Sequence, residues 1–220
     1  MRRTTPPPAP PPAMPESEPR VPRRNEKARN RTRSKLLAAA RVVLGRDGIA
    51  AAKINDITDE AGLAFGSFYN YFSSKEELAR AVFIEETLAL ADMLDKATPP
   101  DADIAQVLAI NLSTTLRHGL SDPIWGWFIV QSAHTLDDLV DESLGGKLAR
   151  DLRAGAASGR FLVRDVDTTV DSIIGGCIYH LRQILAGRRQ ADTVNDLVEF
   201  VLCGLNLERS EAANLARLTS

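Results

Sequence analysis

The sequence predicts an all-α protein in which a three-helix unit precedes a larger helical domain, with about nine helices in total. Apolar residues recur every three to four positions along most of the 220 residues, which is the spacing of helices with one buried face. No stretch alternates apolar and polar residues in the manner of a half-buried strand, and the sequence contains no internal repeat. The chain is therefore expected to fold as successive helices.

Composition narrows the class further. Hydrophobic residues make up 44% of the chain, enough for one good core or for a small domain plus a larger one. No apolar run approaches the roughly 20 residues of a membrane span, and the Pro-rich start lacks the apolar segment of a signal peptide. Cys177 and Cys203 lie in apolar helical patterns and are interpreted as buried thiols, with a disulfide as the alternative. These features predict a cytoplasmic protein.

Residues 1–28 are expected to form a disordered, Pro-rich, basic arm. They hold nine of the twelve prolines, and proline blocks both helix interiors and strand ladders. Residues 1–35 contain ten Lys and Arg against three acidic residues, a net charge of +7, whereas the whole chain carries −2. The basic end suits a polyanion such as a nucleic acid, which the acidic remainder would repel. A merely solvated tail is the alternative.

Three short helices follow, at about 32–46, 53–61 and 65–71. The first has an apolar stripe and the second repeats apolar residues at i, i+3 and i+7. Gly62 provides the left-handed stop that ends the second helix, and Leu63 fills the space before the third. These helices bury Leu36, Ala40, Val43, Leu44, Ile54, Ile57, Ala61, Phe68 and Phe72.

The outward face of the third helix is small, hydrogen-bonding and largely uncharged. It comprises Phe65, Gly66, Ser67, Tyr69, Asn70 and Tyr71. Such a face can enter a DNA major groove with the helix N-terminus leading. Periodicity alone leaves an ordinary αα-hairpin with an aromatic core as the alternative. Downstream, Ser74-Lys-Glu-Glu77 forms a capping box that starts a long helix, 75–96, which Pro99 and Pro100 end.

The stretch from about 32 to 82 resembles the DNA-binding domain of the TetR family of bacterial transcriptional regulators. The matching residues are Leu36-Leu37, Ala39-Ala40, Val43-Leu44, Gly48, Ile54, Ile57, Ala61-Gly62-Leu63, Gly66-Ser-Phe-Tyr-Asn-Tyr-Phe72 and Ser74-Lys75-Glu76. Family members bind DNA as dimers and usually respond to a small ligand held by the remaining helices. The resemblance implies the following DNA-binding residues, with Lys75 at a phosphate: Arg31, Arg33, Lys53, Asn55, Ala64, Phe65, Gly66, Ser67, Tyr69, Asn70, Tyr71 and Lys75.

Two positions depart from the family pattern. Lys53 and Ala64 stand where the family usually has a Ser or Thr N-cap. A lost cap costs about 1 kcal/mol of helix stability, so both helix starts are expected to fray until DNA supplies acceptors. Phe65 replaces a residue that is often polar or basic, and it could contact a thymine methyl group instead.

The sequence divides into a DNA-binding domain at 29–78, a ligand-binding and dimerisation domain at 79–210, and a C-terminal tail at 211–220. The helix at 75–96 links the domains, because its distal residues Phe83, Leu88, Leu90 and Met93 belong to the second one. Further helices are predicted at 103–119, from Asp122-Pro123 to about 134, at 139–157 with an interruption near Gly145-Gly146, at 167–187 and at 191–207.

The last two long helices are predicted to form the interface of a homodimer. Both are apolar on more than one side: Val170, Ile174, Cys177, Leu181 and Ile184 lie on one, and Val194, Val198, Val201 and Leu205 on the other. Two such helices from each chain would form a four-helix bundle, which Gly175-Gly176 would allow to pack closely. A fully buried pair within one chain is the alternative, and the resemblance favours the dimer.

The sequence offers no catalytic site. It lacks the nucleophile elbow, the Gly-rich phosphate loops and the His-Glu-x-x-His zinc motif. Cys177 and His180 could share one metal ion, but such a site needs two more ligands. We therefore predict neither an enzyme nor a cofactor nor a metal, with a small helical enzyme or metal protein as a remote alternative.

The second domain is predicted to hold a pocket. Trp125, Trp127 and Phe128 are concentrated there in a chain with only 5% aromatic residues, with plain core residues as the alternative. The pocket hypothesis adds Leu112, Gln131, His134, Cys177 and His180 as lining, whose polar members could orient a mostly apolar molecule. The sequence thus predicts a ligand-released repressor of a palindromic operator, with a regulator lacking a small effector, or an activator, as the alternative.

Overall fold

The computed structural model describes residues 24–218, and these form ten α-helices without a strand. The helices are α1 (Arg24–Ala51), α2 (Ile54–Glu60), α3 (Lys75–Ala97), α4 (Ile104–Ser121), α5 (Pro123–Ser132), α6 (Asp137–Val140), α7 (Gly146–Ala157), α8 (Val166–Leu185), α9 (Thr193–Gly204) and α10 (Arg209–Arg217). A 3-10 helix, Phe65–Asn70, hereafter the short helix, precedes α3, and a π turn, Asp141–Gly145, joins α6 to α7. The all-α class is confirmed.

Helix α1 is longer than the sequence analysis expected. It begins at Arg24, so residues 24–28, which were assigned to a disordered arm, are helical. The last proline of the arm is Pro22, and the residues after it are mostly good helix formers. The expectation for residues 1–23 lies outside the described residues. At its other end α1 kinks at Gly48, whose φ of 74° favours glycine.

Helices α1 and α2 and the short helix enclose the small core that the sequence predicted. Ile57 and Phe68 are fully buried, and Phe72 is 4% exposed. Gly62 has a φ of 64°, as expected for a left-handed helix stop. The Phe68 and Phe72 rings lie 6.0 Å apart between centroids. This core holds the short helix in place from one side only.

The capping box at the start of α3 differs in one partner from the predicted arrangement. The Ser74 hydroxyl accepts from the Glu77 N–H at 3.1 Å, as expected. The Glu77 carboxylate, however, accepts from the backbone N–H and the hydroxyl of Ser73 at 2.7 and 2.6 Å. These hydrogen bonds hold the pKa of Glu77 below its ordinary value. Both orphan amides at this turn are still satisfied.

The N-terminal unit shares its core with part of the body. Helix α1 packs chiefly on α5, so closely that a Cβ on Gly45 would lie 2.9 Å from the Ile124 carbonyl oxygen. Phe83 of α3 and Phe128 of α5 are buried in the same cluster as the α1 residues. Leu88, which was expected in the second domain, is 67% exposed, because it faces away from this cluster on α3. Helices α1 and α5 are therefore in direct contact through this shared core.

The C-terminal residues form a helix rather than a tail. Residues 211–217 belong to α10, which packs on α9 and α4. Ala212 and Ala216 are buried, because small residues four positions apart let two helices approach closely. Arg160 pairs with Glu211 of α10 and with Asp103 at the start of α4. Helices α4, α7, α8, α9 and α10 thus surround a second core.

Candidate DNA interface and ligand cavity

The short helix presents most of the predicted DNA-binding residues on one exposed surface. Tyr69 is 54% and Phe65 is 49% exposed, and their rings meet edge to face at 5.7 Å. Gly66 and Asn70 are exposed as well, whereas Ser67 is half-buried. On the neighbouring elements, Ala64, Lys53 and Asn55 are exposed too. The surface combines two aromatic edges with amide and hydroxyl groups, which suits base-edge contacts.

Neither motif helix has a side-chain N-cap. Lys53 and Ala64 have extended backbone angles and make no capping hydrogen bond. The helix that follows Ala64 is of the tight 3-10 type over its whole length, and helices of this type are usually short. The backbone amides at both starts therefore have no side-chain acceptor from the N-cap residue.

Lys75 and Tyr71, which were both predicted to bind DNA, have partners within the protein. The Lys75 ammonium donates to the carbonyl oxygens of Ala50 and Ala52 at 2.8 and 2.9 Å, so two of its three donors cap the end of α1. Tyr71 is half-buried, and the Arg29 guanidinium lies 6.0 Å from its ring centroid. Lys75 therefore secures the junction of α1 and α3.

The first turns of α1 form a basic surface beside the short helix. Arg29, Arg31 and Arg33 are exposed, and the Arg33 guanidinium lies 5.5 Å from the Phe72 ring centroid. Cation–π contacts of this kind orient the guanidinium groups. Arg29 and Tyr71 also line a shallow groove with Asn70. The charge is thus placed at the edge of the exposed surface of the short helix.

A mostly apolar cavity of about 110 Å³ lies in the body, between α3, α4, α5, α8 and the α6–α7 region. Among the predicted pocket residues, Leu112, Trp125 and Cys177 line it. Burial raises the pKa of the Cys177 thiol to about 12, so this residue is a neutral lining group. Both cysteines are free thiols.

The other predicted pocket residues lie elsewhere. Trp127, Gln131 and His134 line an open groove between α5 and α8, because they are on the other side of α5 from Trp125. Phe128 is fully buried in the core and lines neither the cavity nor this groove. The His180 ring nitrogen Nε2 and the Thr193 hydroxyl are 3.0 Å apart, which ties α8 to α9.

The cavity has polar lining residues that the sequence analysis missed. Asn111, Asp151 and Lys147 contribute to its wall, and Asn111 Nδ2 donates to Asp151 Oδ2 at 3.3 Å. Burial raises the pKa of the Asp151 carboxyl above its ordinary value, against the opposing effect of Lys147. Asn111 lies three residues after Leu108 on the apolar face of α4, and that polar interruption was the available signal.

An ion-pair network joins the wall of the cavity to α1. The Asp122 carboxylate accepts from the backbone N–H of Trp125 at 3.1 Å and pairs with the Arg41 guanidinium. Arg41 Nε also lies 3.1 Å from Glu86 Oε1 of α3. Burial alone would raise the pKa of Asp122. The backbone N–H of Trp125 and the Arg41 guanidinium nevertheless hold this pKa below its ordinary value. One carboxylate thus connects a cavity-lining helix to the DNA-binding unit.

The stripes that suggested a dimer are largely used within the chain. Val194 and Val198 of α9 are fully buried, and Leu181 of α8 is 3% exposed. The opposite faces remain open: Tyr179 of α8 is 62% and Phe200 of α9 is 74% exposed. Residues 24–218 place nothing within 4 Å of a Cβ built on Gly175 or Gly176. Any dimer built on α8 and α9 therefore uses these outer faces.

Metal-ligand clusters and membrane-spanning helices are both absent from the described part of the chain. No group of three or more His, Cys, Asp or Glu suited to a metal occurs among residues 24–218. None of the helices described there has both the length and the apolar character of a bilayer crossing.

Comparison with known proteins identifies both parts of the chain. Residues 36–82 match the model for bacterial regulatory proteins of the tetR family, and residues 103–218 match the model for the tetracyclin repressor-like C-terminal domain. The chain is 29% identical over 183 residues to Rv1255c of Mycobacterium tuberculosis (strain H37Rv), named an uncharacterised HTH-type transcriptional regulator. That alignment covers 82% of this chain and 86% of Rv1255c.

Two further relatives agree. YvdT of Bacillus subtilis, another HTH-type transcriptional regulator, is 37% identical over 81 residues, so the chain spans 42% of its length. RolR, whose crystal structure in complex with resorcinol is known, has 29% sequence identity to this chain. The two structures superpose with a TM-score of 0.69, and the match covers 87% of this chain and 96% of RolR. Rv1255c and YvdT are both named as transcriptional regulators. The chain belongs to the TetR family of bacterial transcriptional regulators.

Proposed function

We propose that this regulator is a repressor that binds a palindromic operator as a homodimer and is released by a small, mostly apolar ligand. The observation that carries the proposal is the Arg41–Asp122 ion pair, because it joins the cavity wall at Trp125 to α1. RolR, whose structure contains resorcinol, supports a small ligand in this fold.

In this proposal the short helix enters the major groove. Tyr69, Asn70 and Phe65 reach the base edges because they are the exposed side chains of that helix. Lys53 and Asn55, at the start of α2, contact the DNA beside it, and Arg31 and Arg33 approach the flanking phosphates from α1. Phosphate oxygens would accept from the uncapped amides at the helix starts. Affinity and register thus come from α1 and α2, and sequence selectivity from the short helix.

The dimer is proposed to form through the outer faces of α8 and α9. Tyr179 and Phe200 are large, exposed and apolar, and the two adjacent glycines of α8 allow a second helix to approach. A two-fold axis through this surface would place two short helices about one DNA turn apart, roughly 34 Å. The operator would then be a palindrome.

Release requires the ligand to favour the state that does not bind DNA. A molecule in the cavity presses on Trp125, and the shared core and the Asp122–Arg41 pair pass the shift of α5 to α1. Displacement of α1 and α3 then moves the two short helices out of register. Coupling of about 1–3 kcal/mol between the sites is typical of such systems.

Selection from a random duplex library tests the DNA-binding part with the full chain. We expect enrichment of a two-fold symmetric sequence with half-sites one turn apart. Tyr69→Ala and Asn70→Ala should abolish binding to the enriched duplex without loss of helicity, because both side chains are exposed. Arg153→Ala, an exposed residue of α7, is the matched control. Equal binding by Tyr69→Ala, Asn70→Ala and the unaltered chain would refute the placement of the interface.

A regulator without a small effector is the second candidate, since a cavity of 110 Å³ is small. A thermal-shift screen of small apolar compounds separates the two, because a ligand bound only by the folded state raises the melting temperature. Release of the duplex by a compound that also raises the melting temperature supports the repressor proposed above. A library that produces no shift favours the second candidate.

A further inference from the structure

The cavity has one polar corner whose hydrogen bonds are incomplete. Asn111 is 8% exposed, and its Nδ2 donates to the Asp151 carboxylate. With the amide nitrogen turned to Asp151, the carbonyl oxygen Oδ1 of Asn111 points away from that carboxyl group. Oδ1 is buried and has no hydrogen-bond partner among residues 24–218. A strong acceptor at the cavity wall is therefore unused.

A second unpaired group lines the same cavity. Trp125 is 1% exposed, and its indole nitrogen Nε1 has no partner within the described residues. The indole N–H can only donate. Buried donors and acceptors are almost always paired in folded proteins, since leaving them unpaired is costly. The acceptor and the donor thus belong to two residues that line one cavity, and a ligand with a hydroxyl and an acceptor oxygen would satisfy both.

Size and charge restrict that ligand further. The cavity volume, about 110 Å³, is of the order of the roughly 150 Å³ cavity known to admit benzene. Its remaining walls are mainly side chains of Leu and Ile. The charged residues at the polar corner are already matched, because Lys147 lies beside Asp151 and 3.7 Å from Asp95. Each charge at this corner therefore already has a partner of opposite sign, and none is left to pair with a charged ligand.

We propose that the cavity binds a small, uncharged, hydroxylated ring of the phenol class. A ring hydroxyl donates to Asn111 Oδ1, an oxygen on the ring accepts from Trp125 Nε1, and the apolar walls enclose the carbon skeleton. Asn111 is the residue that selects the hydroxyl. This assignment rests on the ligand-released repressor proposed above and specifies the chemistry of its effector.

The test compares phenol, toluene and benzoate by calorimetry on the full chain. Phenol and toluene have nearly the same shape, but phenol must give up hydration of its hydroxyl, so an entirely apolar cavity would prefer toluene. We expect phenol to bind at least about tenfold more tightly than toluene, and benzoate to bind more weakly than phenol. Equal or reversed affinities of phenol and toluene, or binding of neither, would overturn the ligand class.

Variants locate the contact. Asn111→Leu should reduce the ratio of the phenol and toluene affinities to about one, while Leu144→Met, at an apolar position of the same wall, should leave it unchanged. Because Asn111→Leu removes the partner of Asp151, Trp127→Phe provides a reading without that change. It leaves Trp125 as the one remaining tryptophan, and a dihydroxybenzene, which has the second oxygen that phenol lacks, should alter its fluorescence more than phenol does. Equal responses to both would contradict the Trp125 contact.

Operator binding, measured separately, keeps the two hypotheses apart. A chain that binds a selected duplex but does not prefer phenol refutes the ligand class and leaves the repressor intact. A chain that prefers phenol but selects no duplex supports the cavity assignment and contradicts the proposed function.

Discussion

Asp122 is the residue at which helix capping and interdomain contact coincide. Its carboxylate caps α5 by accepting from the backbone N–H of Trp125, and it pairs with Arg41 of α1. Both interactions need the ionised form, and the pKa of Asp122 is below its ordinary value. Protonation therefore favours the unfolded state. The stability that Asp122 contributes is present above the ordinary Asp pKa of about 4 and is lost as the pH falls through the lowered value.

We expect Asp122→Ala to lower the free energy of unfolding by about 1 kcal/mol at neutral pH, from loss of the cap. Urea unfolding between pH 7 and pH 3 measures both effects, because the variant should lose less stability on acidification than the unaltered chain. Asp101→Ala, in an exposed turn, is the control and should behave as the unaltered chain. Parallel acid profiles for Asp122→Ala and the unaltered chain would contradict the role of this carboxylate.

Lys75 and Lys53 separate structural from DNA-contacting lysines. The Lys75 ammonium caps α1 through two carbonyl oxygens, whereas Lys53 is exposed and makes no capping contact. Lys75→Ala should lower the free energy of unfolding by about 1–3 kcal/mol. Lys53→Ala should leave it within about 0.5 kcal/mol and weaken duplex binding. Chemical denaturation and a mobility shift of both variants check this. A stable Lys75→Ala variant with lost DNA binding would restore the phosphate contact that the resemblance implied.

At the scale of elements, α1 extends twelve residues before the matched family segment that begins at residue 36. Its first turns are basic, and Arg29 and Arg33 stack on aromatic rings near the end of the short helix. A rigid helix holds such charges at a fixed distance from DNA, which a disordered arm would not. The basic charge that the sequence placed in an arm is thus partly organised on a helix.

Removal of one phosphate contact lowers the dependence of log affinity on log salt concentration by about 0.9. We expect Arg31→Ala to reduce the slope by about this amount and to weaken binding to all duplexes alike, because phosphate contacts carry no base information. Titrations of a selected and a random duplex from 50 to 300 mM salt measure the slope. Arg150→Ala, exposed on α7, should retain the original slope. An unchanged slope in Arg31→Ala would remove this residue from the interface.

For the whole molecule, the proposed dimer makes the outer faces of α8 and α9 the surface that would bring two DNA-binding units together. Tyr179 and Phe200 are among the most exposed large apolar side chains described. Their burial against a second chain would provide apolar contact at the two-fold axis. The proposed binding of a symmetric operator would depend on that contact, because one unit alone would engage one half-site.

We expect Phe200→Glu to shift the protein from dimer to monomer in sedimentation experiments, because a charge would be buried without a partner. Affinity for the two-half-site duplex should fall at least about 100-fold, while the fold is retained. Leu162→Glu is the matched control, since Leu162 is similarly exposed, at 62%, in a loop outside these faces. A dimeric Phe200→Glu variant would exclude this face as the interface.

The sequence predicted local structure well and cavity lining less well. Phe68 and Phe72 at i and i+4, Gly62 as the helix stop and Asp122-Pro123 as a helix start depend on neighbours along the chain, and all appear as expected. Trp125 and Phe128 are three residues apart, yet one lines the cavity and the other does not. Their difference depends on which helices pack on each side of α5.

By itself, the sequence determined the all-α class, the order of the helices up to α9 and most of the exposed face of the short helix, because periodicity and capping act within one or two turns. Only the tertiary structure decided that Lys75 caps α1, that α10 closes the second core, and that Asn111, Asp151 and Trp125 meet at one cavity. These contacts join residues far apart in the chain, and no local pattern specifies which side chains face one another across packed helices.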